Sequence, residues 1–241
     1  MNDEEARACR VIYALELRNL ADKDYISARM NYKLGLLDQF LWAGMQAVEK
    51  YLKGILLLNN ESTLRLSHGV SQAFQKVLAI KGNEFDFASG LDKFIEYLND
   101  YGNNRYWEFP THTTGLELRD LDLAVWNIRR YCQPTDSTRP ESQPSYLNSA
   151  DLKENRYKLR IAGGFLERVL DGEQSSDVRR ILVWKNFCYG SKRRQRIKSY
   201  NMRVHFATPI HFSKPECYSA LKDYVYFPKS VKTELEGQGS D

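Results

Sequence analysis

The side chains best suited to binding an anion form a basic run near the carboxyl-terminal end of the chain. Within Lys192–Lys198, which contains no acidic residue, we single out four candidates for binding: Lys192, Arg193, Arg194 and Arg196. Positive charges this dense would bind a phosphate backbone, with an affinity that falls as salt rises. A short basic run is also common as a solvated surface loop. Two interpretations therefore stay open, contact with nucleic acid and an exposed loop.

The cysteines and histidines do not have the spacing of a metal site. The four cysteines are far apart and form no Cys-x-x-Cys pair. His205 and His211 lie six residues apart, with no carboxylate or thiol nearby to complete a ligand set. Glycine-rich phosphate loops and the common hydrolase and metalloprotease motifs are also missing from the sequence. We therefore expect neither a metal nor a cofactor.

Composition is typical of a folded protein. Of 241 residues, 42% are hydrophobic and 27% are charged, which excludes disorder over the whole length. The net charge of +4 is uneven, with −2 over residues 1–135 and +6 over residues 136–241. No run approaches the roughly 18 apolar residues of a membrane span, and the acidic start Met1–Glu5 is unlike a secretory signal. We expect a cytoplasmic protein that does not bind membranes.

Upstream of residue 133 the hydrophobic pattern is almost wholly helical. The predicted helices cover about 4–20, about 22 or 24 to 35, 38–60, 67–78, 85–98 and 116–131. In the third, apolar residues recur every three or four positions and form one stripe: Phe40, Leu41, Gly44, Val48, Tyr51, Leu52 and Ile55. Short connections between such helices predict an antiparallel bundle.

A proline- and serine-rich stretch divides the chain. Three of the seven prolines fall in residues 133–149, where neither a helix nor a core is expected. We predict a helix bundle over 1–132, a linker over 133–149 and a basic extension over 150–241. In the extension the pattern indicates helices over 151–170 and 177–187, and short strands at 204–206 and 224–227.

Several short motifs resemble the HEPN family of helical domains. They are Asp24-Tyr25 with Ala28, the run Leu37–Phe40, the run Gln46–Lys53 and Ser67-His68, in the family's order and spacing. The resemblance covers about residues 22–132. It implies an all-α fold, a HEPN-like antiparallel bundle of four to five helices, here followed by a helical or irregular carboxyl-terminal extension.

The resemblance also implies a chemistry. Catalytic HEPN proteins are metal-independent endoribonucleases whose signature is an arginine and a downstream histidine with four to six residues between them. Arg105 and His112 have this spacing. Arg105 would hold the phosphate through its guanidinium fork, and His112 would remove the proton of a 2′-hydroxyl as general base. Because Pro110 prevents one continuous helix, the two side chains would have to converge through a loop.

Other HEPN proteins carry an Arg-Tyr dipeptide here without a catalytic histidine. The alternative is therefore a non-catalytic module that binds a nucleotide, RNA or a partner protein, with Asn104 and Trp107 as further binding candidates. The resemblance implies a homodimer and a toxin–antitoxin or antiphage-defence context. A nucleotidyltransferase antitoxin is a further expected partner.

Overall fold

The computed structural model describes residues 2–64, 66, 69–81, 85–104, 107–134, 161, 163–190 and 205–237. The chain divides into two compact units. We call Met1–Gly102 with Leu118–Arg196 the bundle unit, and Asn103–Glu117 with Ile197–Asp241 the small unit. Both are discontinuous in sequence, so the division in space differs from the linear segments 1–132, 133–149 and 150–241.

Helices dominate the described residues, so the all-α prediction is confirmed. The first five are α1 (Asp3–Lys33), α2 (Leu37–Leu58), α3 (Val70–Leu78), α4 (Leu91–Gly102) and α5 (Glu117–Arg129). Two short helices follow, α6 (Phe165–Asp171) and α7 (Ser176–Val183). The small unit adds α8 (Ile210–Ser213), α9 (Glu216–Leu221), α10 (Lys229–Gly237) and two strands, β1 (Thr111–Thr113) and β2 (His205–Ala207). None of the helices described is long and apolar enough to cross a membrane.

Helix α1 is one continuous helix of 31 residues, where the sequence pattern predicted two. The expected break near Asp22 was wrong because residues 20–24 contain neither glycine nor proline. Asp22 is buried within the helix and bonds to other helices instead of capping a new one. The cap at the start of α1 is a reciprocal one, in which Asn2 and Glu5 each accept the other's backbone N–H.

Helices α1 and α2 pack against each other as an antiparallel pair. The Arg10 guanidinium donates to the Asn60 side chain at one end, and the rings of Tyr32 and Phe40 meet at the other, 5.0 Å apart. The predicted apolar stripe of α2 forms the centre of the core, with all its members buried. The helix ends at Leu58, and Asn60 adopts the left-handed conformation that such an end favours, as predicted.

Helix α4 begins at Leu91, six residues later than predicted. Phe85 and Phe87 instead pack their rings against Tyr131, and the Tyr131 hydroxyl accepts the Asp86 backbone N–H. Gly90, with φ of +84°, then turns the chain into the helix. At the other end Gly102 lies against Met45 of α2, where a β-carbon would be 2.7 Å from the Met45 Cβ. The close approach of α4 to α2 therefore requires glycine.

Residues 161–190 belong to the bundle unit. The predicted helix 151–170 is described only from residue 161 onward and consists of α6, which starts after the turn at Gly163. The predicted helix 177–187 ends earlier, with α7 at Val183. Leu166, Val169 and Leu182 join the main hydrophobic core. The predicted start of α3 at Ser67 lies outside the described residues.

The small unit combines a two-stranded ladder with a separate apolar core. Strand β1 pairs antiparallel with β2, so that Thr111 faces Ala207, His112 faces Phe206 and Thr113 faces His205. The core consists of Tyr218, Phe227, Val231 and Leu235 with Phe109, Phe212 and Leu221 packed on it. The predicted strand at 204–206 corresponds to β2, whereas residues 224–227 form no strand and lead instead through Pro228 into α10.

Candidate functional site

Asn104 closes a tight turn at the start of the small unit. Its side-chain oxygen accepts the backbone N–H groups of Glu108 (2.7 Å) and Phe109 (3.3 Å), and its amide donates to the Phe109 carbonyl (2.7 Å). With 6% of its surface exposed, it is a buried polar group that is hydrogen-bonded by this turn. The chain therefore turns back on itself after residue 104, so that residue 109 lies beside residue 104.

Trp107 lies at the tip of the same turn. Its backbone has a φ of +58°, a left-handed conformation that is uncommon for a large side chain, and its N–H points to the Asn104 carbonyl at 3.4 Å. The indole is 38% exposed. A strained, half-exposed aromatic residue is well placed to contact a ligand, and this role for Trp107 stays a prediction.

His112 lies in the middle of strand β1, rather than in the loop that the sequence suggested. Pro110 directly precedes the strand, and the preceding residue, Phe109, is disfavoured from the helical conformation by the proline ring. Thr111 and Thr113 point to a buried face, and His112 points to the opposite, half-buried one. There its ring lies 6.2 Å from the ring of Phe206, between centroids, with the planes 31° apart.

Glu117 fixes the connection from β1 to α5. Its carboxylate accepts the backbone N–H groups of Thr114 and Gly115 (2.9 Å for the latter) and the Thr114 hydroxyl (3.0 Å). A carboxylate in the first turn of a helix is also stabilised by the helix dipole. His112 is thus held on a strand whose two ends are both fixed, by Asn104 on one side and Glu117 on the other.

His211 supports the turn from the second half of the small unit. Its Nε2 lies 2.9 Å from the Glu108 carbonyl oxygen, and because a carbonyl can only accept, this nitrogen is the donor. The ring is buried and packs edge-on against Phe227. Burial also raises the pKa of the Glu108 carboxyl. His211 is therefore a structural residue that links the turn to the carboxyl-terminal helices.

The ring of Phe206 is 78% exposed although it lies on a strand. Sequence reasoning singled out Trp107 and missed Phe206. Only the register of β1 on β2 brings residue 206 opposite His112, and no local pattern in the sequence reports such a long-range pairing.

Arg105, Lys192, Arg193, Arg194 and Arg196 lie outside the described residues. The structure describes the backbone on both sides of Arg105, at Asn104 and Trp107, and the strand that carries His112. The roles predicted for the five basic side chains stay predictions. In the described part of the chain, no three histidine, cysteine or acidic residues are grouped so as to hold a metal ion.

A network of buried charges fills the interior of the bundle unit, and sequence reasoning missed it. The Arg129 guanidinium donates to both carboxylate oxygens of Asp22 (2.7 and 2.8 Å) and of Glu167 (2.8 and 2.7 Å). Asp22 also accepts the Tyr51 hydroxyl (2.6 Å) and the Leu166 N–H (3.2 Å). Burial alone would lower the pKa of Arg129, but the charge of Asp22 and the hydrogen bonds raise it well above its ordinary value.

A second buried cluster lies around Asp122. Its carboxylate pairs with Arg29 and accepts the Tyr25 hydroxyl at 2.6 Å, and the Asn186 amide donates to the same hydroxyl at 2.8 Å. Arg29 also donates to the backbone carbonyls of Ile181 and Trp184. Burial raises the pKa of Asp122 despite the charge of Arg29. Both clusters are closed off from solvent, so they attach residues 161–190 to the bundle rather than act on a substrate.

The chain was compared with known proteins in three ways. A family model described as HEPN domain matches residues 14–119, a range that includes Asn104, Arg105, Trp107 and His112. Comparison with curated proteins finds no match, and neither does comparison with solved structures. Arg129, Glu167 and Phe206 lie outside the matched range.

Proposed function

Because this chain belongs to the HEPN family through residues 14–119, we propose that it is a metal-independent endoribonuclease in which His112 is the general base and Arg105 the phosphate ligand. One observation carries the proposal. The turn closed by Asn104 returns the chain at Phe109 to within hydrogen-bond distance of residue 104. Asn104, the residue before Arg105, is thereby held close to the start of the strand that carries His112.

The proposed reaction requires a base and a cation at one phosphate. His112 accepts the proton of a ribose 2′-hydroxyl, the 2′-oxygen bonds to the adjacent phosphorus, and the bond to the 5′-oxygen breaks. The departing oxygen takes a proton from water, and the imidazolium returns its proton to solvent. Arg105 stabilises the negative charge that builds up on the phosphate. The products are a 2′,3′-cyclic phosphate and a free 5′-hydroxyl.

The first prediction concerns His112 and Arg105. Full-length protein is incubated with RNA in EDTA, and the cleavage rate and the product ends are measured. We expect His112→Gln, which keeps a polar side chain but cannot act as a base, to lower the rate by about 10²–10⁴-fold. Arg105→Ala should cause a loss of similar order. Cleavage by His112→Gln at the wild-type rate would remove this residue from the mechanism.

The matched control for Arg105 is Arg180→Ala. Arg180 is exposed and pairs with Asp177 on its own helix, so its replacement removes the same charge from a surface position. It should cleave RNA at the wild-type rate. If Arg105→Ala and Arg180→Ala have the same effect, the loss reflects net charge and not phosphate binding.

The proposal extends to the assembly and its setting. We propose a homodimer in which two Arg105–His112 pairs line one RNA-binding cleft, acting as a toxin or defence component, with a nucleotidyltransferase as the cognate antitoxin. Light scattering of the purified protein tests the dimer. If wild-type protein leaves all RNA intact in EDTA yet binds it, the alternative holds, a non-catalytic HEPN module for a nucleotide, RNA or a partner protein.

A further inference from the structure

We propose that Phe206 stacks against an unpaired base of the bound RNA next to His112. This inference rests on the proposed function, because it assigns a role to a side chain beside the proposed general base. Phe206 would be a positioning residue, since it contacts the substrate without taking part in proton transfer.

The ladder of β1 and β2 brings the two rings together. His112 and Phe206 are directly opposite in the antiparallel register, and directly opposite residues project from the same face of a sheet. Thr111 and Thr113, which project from the other face, are each only 6% exposed. On β1 one face is thus buried, and His112 and Phe206 lie on the opposite face of the ladder.

The exposure of Phe206 is unusual for its place in the fold. The outward positions of an antiparallel ladder ordinarily carry polar side chains, whereas here a phenyl ring is 78% exposed. A single exposed apolar residue needs no explanation by itself. What distinguishes this ring is the histidine 6.2 Å from it, at a distance comparable to that between a ribose and its own base. A nucleotide whose 2′-hydroxyl meets His112 would have its base near Phe206.

The surrounding charge is compatible with a polyanion. Between His205 and Pro215 the sequence contains no acidic residue and one exposed cation, Lys214, and the first carboxylate after it is Glu216. A phosphate backbone that runs past Phe206 would meet no carboxylate from this segment. Aromatic rings that stack bases beside positive charge are the common means by which proteins hold single strands without reading their sequence.

Duplex RNA does not fit this role. In a duplex each base is stacked on both sides and is not available to a side chain, whereas bases in single strands, loops and bulges are. The proposal therefore predicts a preference for single strands over duplexes of the same sequence.

The test uses full-length protein and a fluorescently labelled 2′-O-methyl oligonucleotide, which binds but cannot be cleaved. Anisotropy gives the Kd for wild type, Phe206→Ala and Phe206→Trp. We expect Phe206→Ala to weaken binding of the single strand by about 5- to 150-fold, the range for loss of one stacked base. Phe206→Trp, which keeps a flat ring, should bind at least as tightly as wild type. On cleavable RNA, Phe206→Ala should raise KM and leave kcat nearly unchanged.

Ile210→Ala is the matched control. Ile210 is an exposed apolar residue of the same unit that has no aromatic ring, so its removal should leave the Kd unchanged. Equal binding by wild type and Phe206→Ala would overturn the inference, as would wild-type protein that binds no single strand. A change of oligomeric state in Phe206→Ala without a change in Kd would also overturn it and assign the ring to a contact between two copies of the chain.

The outcomes separate this inference from the proposed function. If His112→Gln cleaves like wild type but Phe206→Ala loses affinity for the uncleavable strand, the catalytic proposal fails and base stacking stands. If His112→Gln is inactive but Phe206→Ala binds and cleaves like wild type, the catalytic proposal stands and base stacking by Phe206 fails.

Discussion

Arg129 is a cation that the bundle unit buries almost completely, between two carboxylates. Moving ions from water into a protein interior costs several kcal/mol for each ion, and the cost is offset only when charges are paired and hydrogen-bonded on all sides. Here four charge-assisted hydrogen bonds join Arg129 to Asp22 and Glu167. The three residues are stable together, and the loss of one of them leaves a buried charge unpaired.

We expect Arg129→Ala to lower the free energy of unfolding by about 3–5 kcal/mol, because it leaves two buried carboxylates without their counter-ion. Urea denaturation at neutral pH measures the effect. The control Arg180→Ala breaks an exposed pair and should change stability by less than about 1 kcal/mol. A cost for Arg129→Ala that is no larger than for the control would show that Asp22 and Glu167 find other partners.

Asn104 acts on an element, the turn that leads into β1. Asn104→Ala removes the acceptor of two backbone N–H groups and should cost about 1–3 kcal/mol in the free energy of unfolding. It should also speed amide hydrogen exchange at Glu108 and Phe109, measured by mass spectrometry on the peptide that covers them. Asn104→Asp keeps the acceptor but loses the donor to Phe109, so its effect should be smaller. Unchanged exchange at both amides in Asn104→Ala would contradict this role.

Elements could be predicted from the sequence where the signal is local. The stripe of α2 and its end at Asn59-Asn60 follow from helical periodicity and from the tolerance of asparagine for a left-handed backbone. The errors have an equally physical origin. Asp22 has the chemistry of a cap but is held inside α1 by Arg129, more than 100 residues away in sequence. Phe85 and Phe87 continue an apolar pattern, yet they pack on Tyr131 before α4 begins.

The candidate site could be predicted only in part. His112 and its neighbours are candidates because their spacing resembles a family motif within one short stretch. The strand that carries His112, its partner Phe206 and the supporting His211 depend on contacts between residues 103–117 and residues 205–237. Such pairings leave no local periodicity, and for this reason sequence reasoning expected a loop at His112.

At the scale of the whole molecule, buried tyrosine side chains limit the stability of the protein at alkaline pH. Tyr25, Tyr51 and Tyr189 all lie in the interior of the bundle unit. Burial raises the pKa of each, and nearby Asp122 and Asp22 raise those of Tyr25 and Tyr51 further. In the unfolded chain the same phenols ionise near pH 10. The unfolded state therefore loses protons first, and stability falls as the pH rises above 10.

We expect each buried tyrosine to contribute a loss that steepens through pH 10 and approaches about 1.4 kcal/mol per pH unit about one unit higher. The free energy of unfolding from urea titrations at pH 9, 10 and 10.5 gives the slope. Tyr189→Phe should reduce the slope by the share of one phenol, whereas Tyr224→Phe, at an exposed position, should not change it. Equal slopes for wild type and Tyr189→Phe would show that this phenol ionises in the folded protein.

The contact of Arg129 with Asp22 and Glu167 also restricts how this protein can diverge. A mutation that neutralises one of the three residues leaves the others buried without a counter-charge. Related chains should therefore keep all three residues, or replace all three together, for instance by apolar residues. Of the three, only Asp22 lies within the residues 14–119 that the HEPN domain model matches. A chimera that grafts residues 14–119 onto a foreign tail would inherit a buried carboxylate without its counter-ion, and it would need residues 120–134 and 161–190 as well.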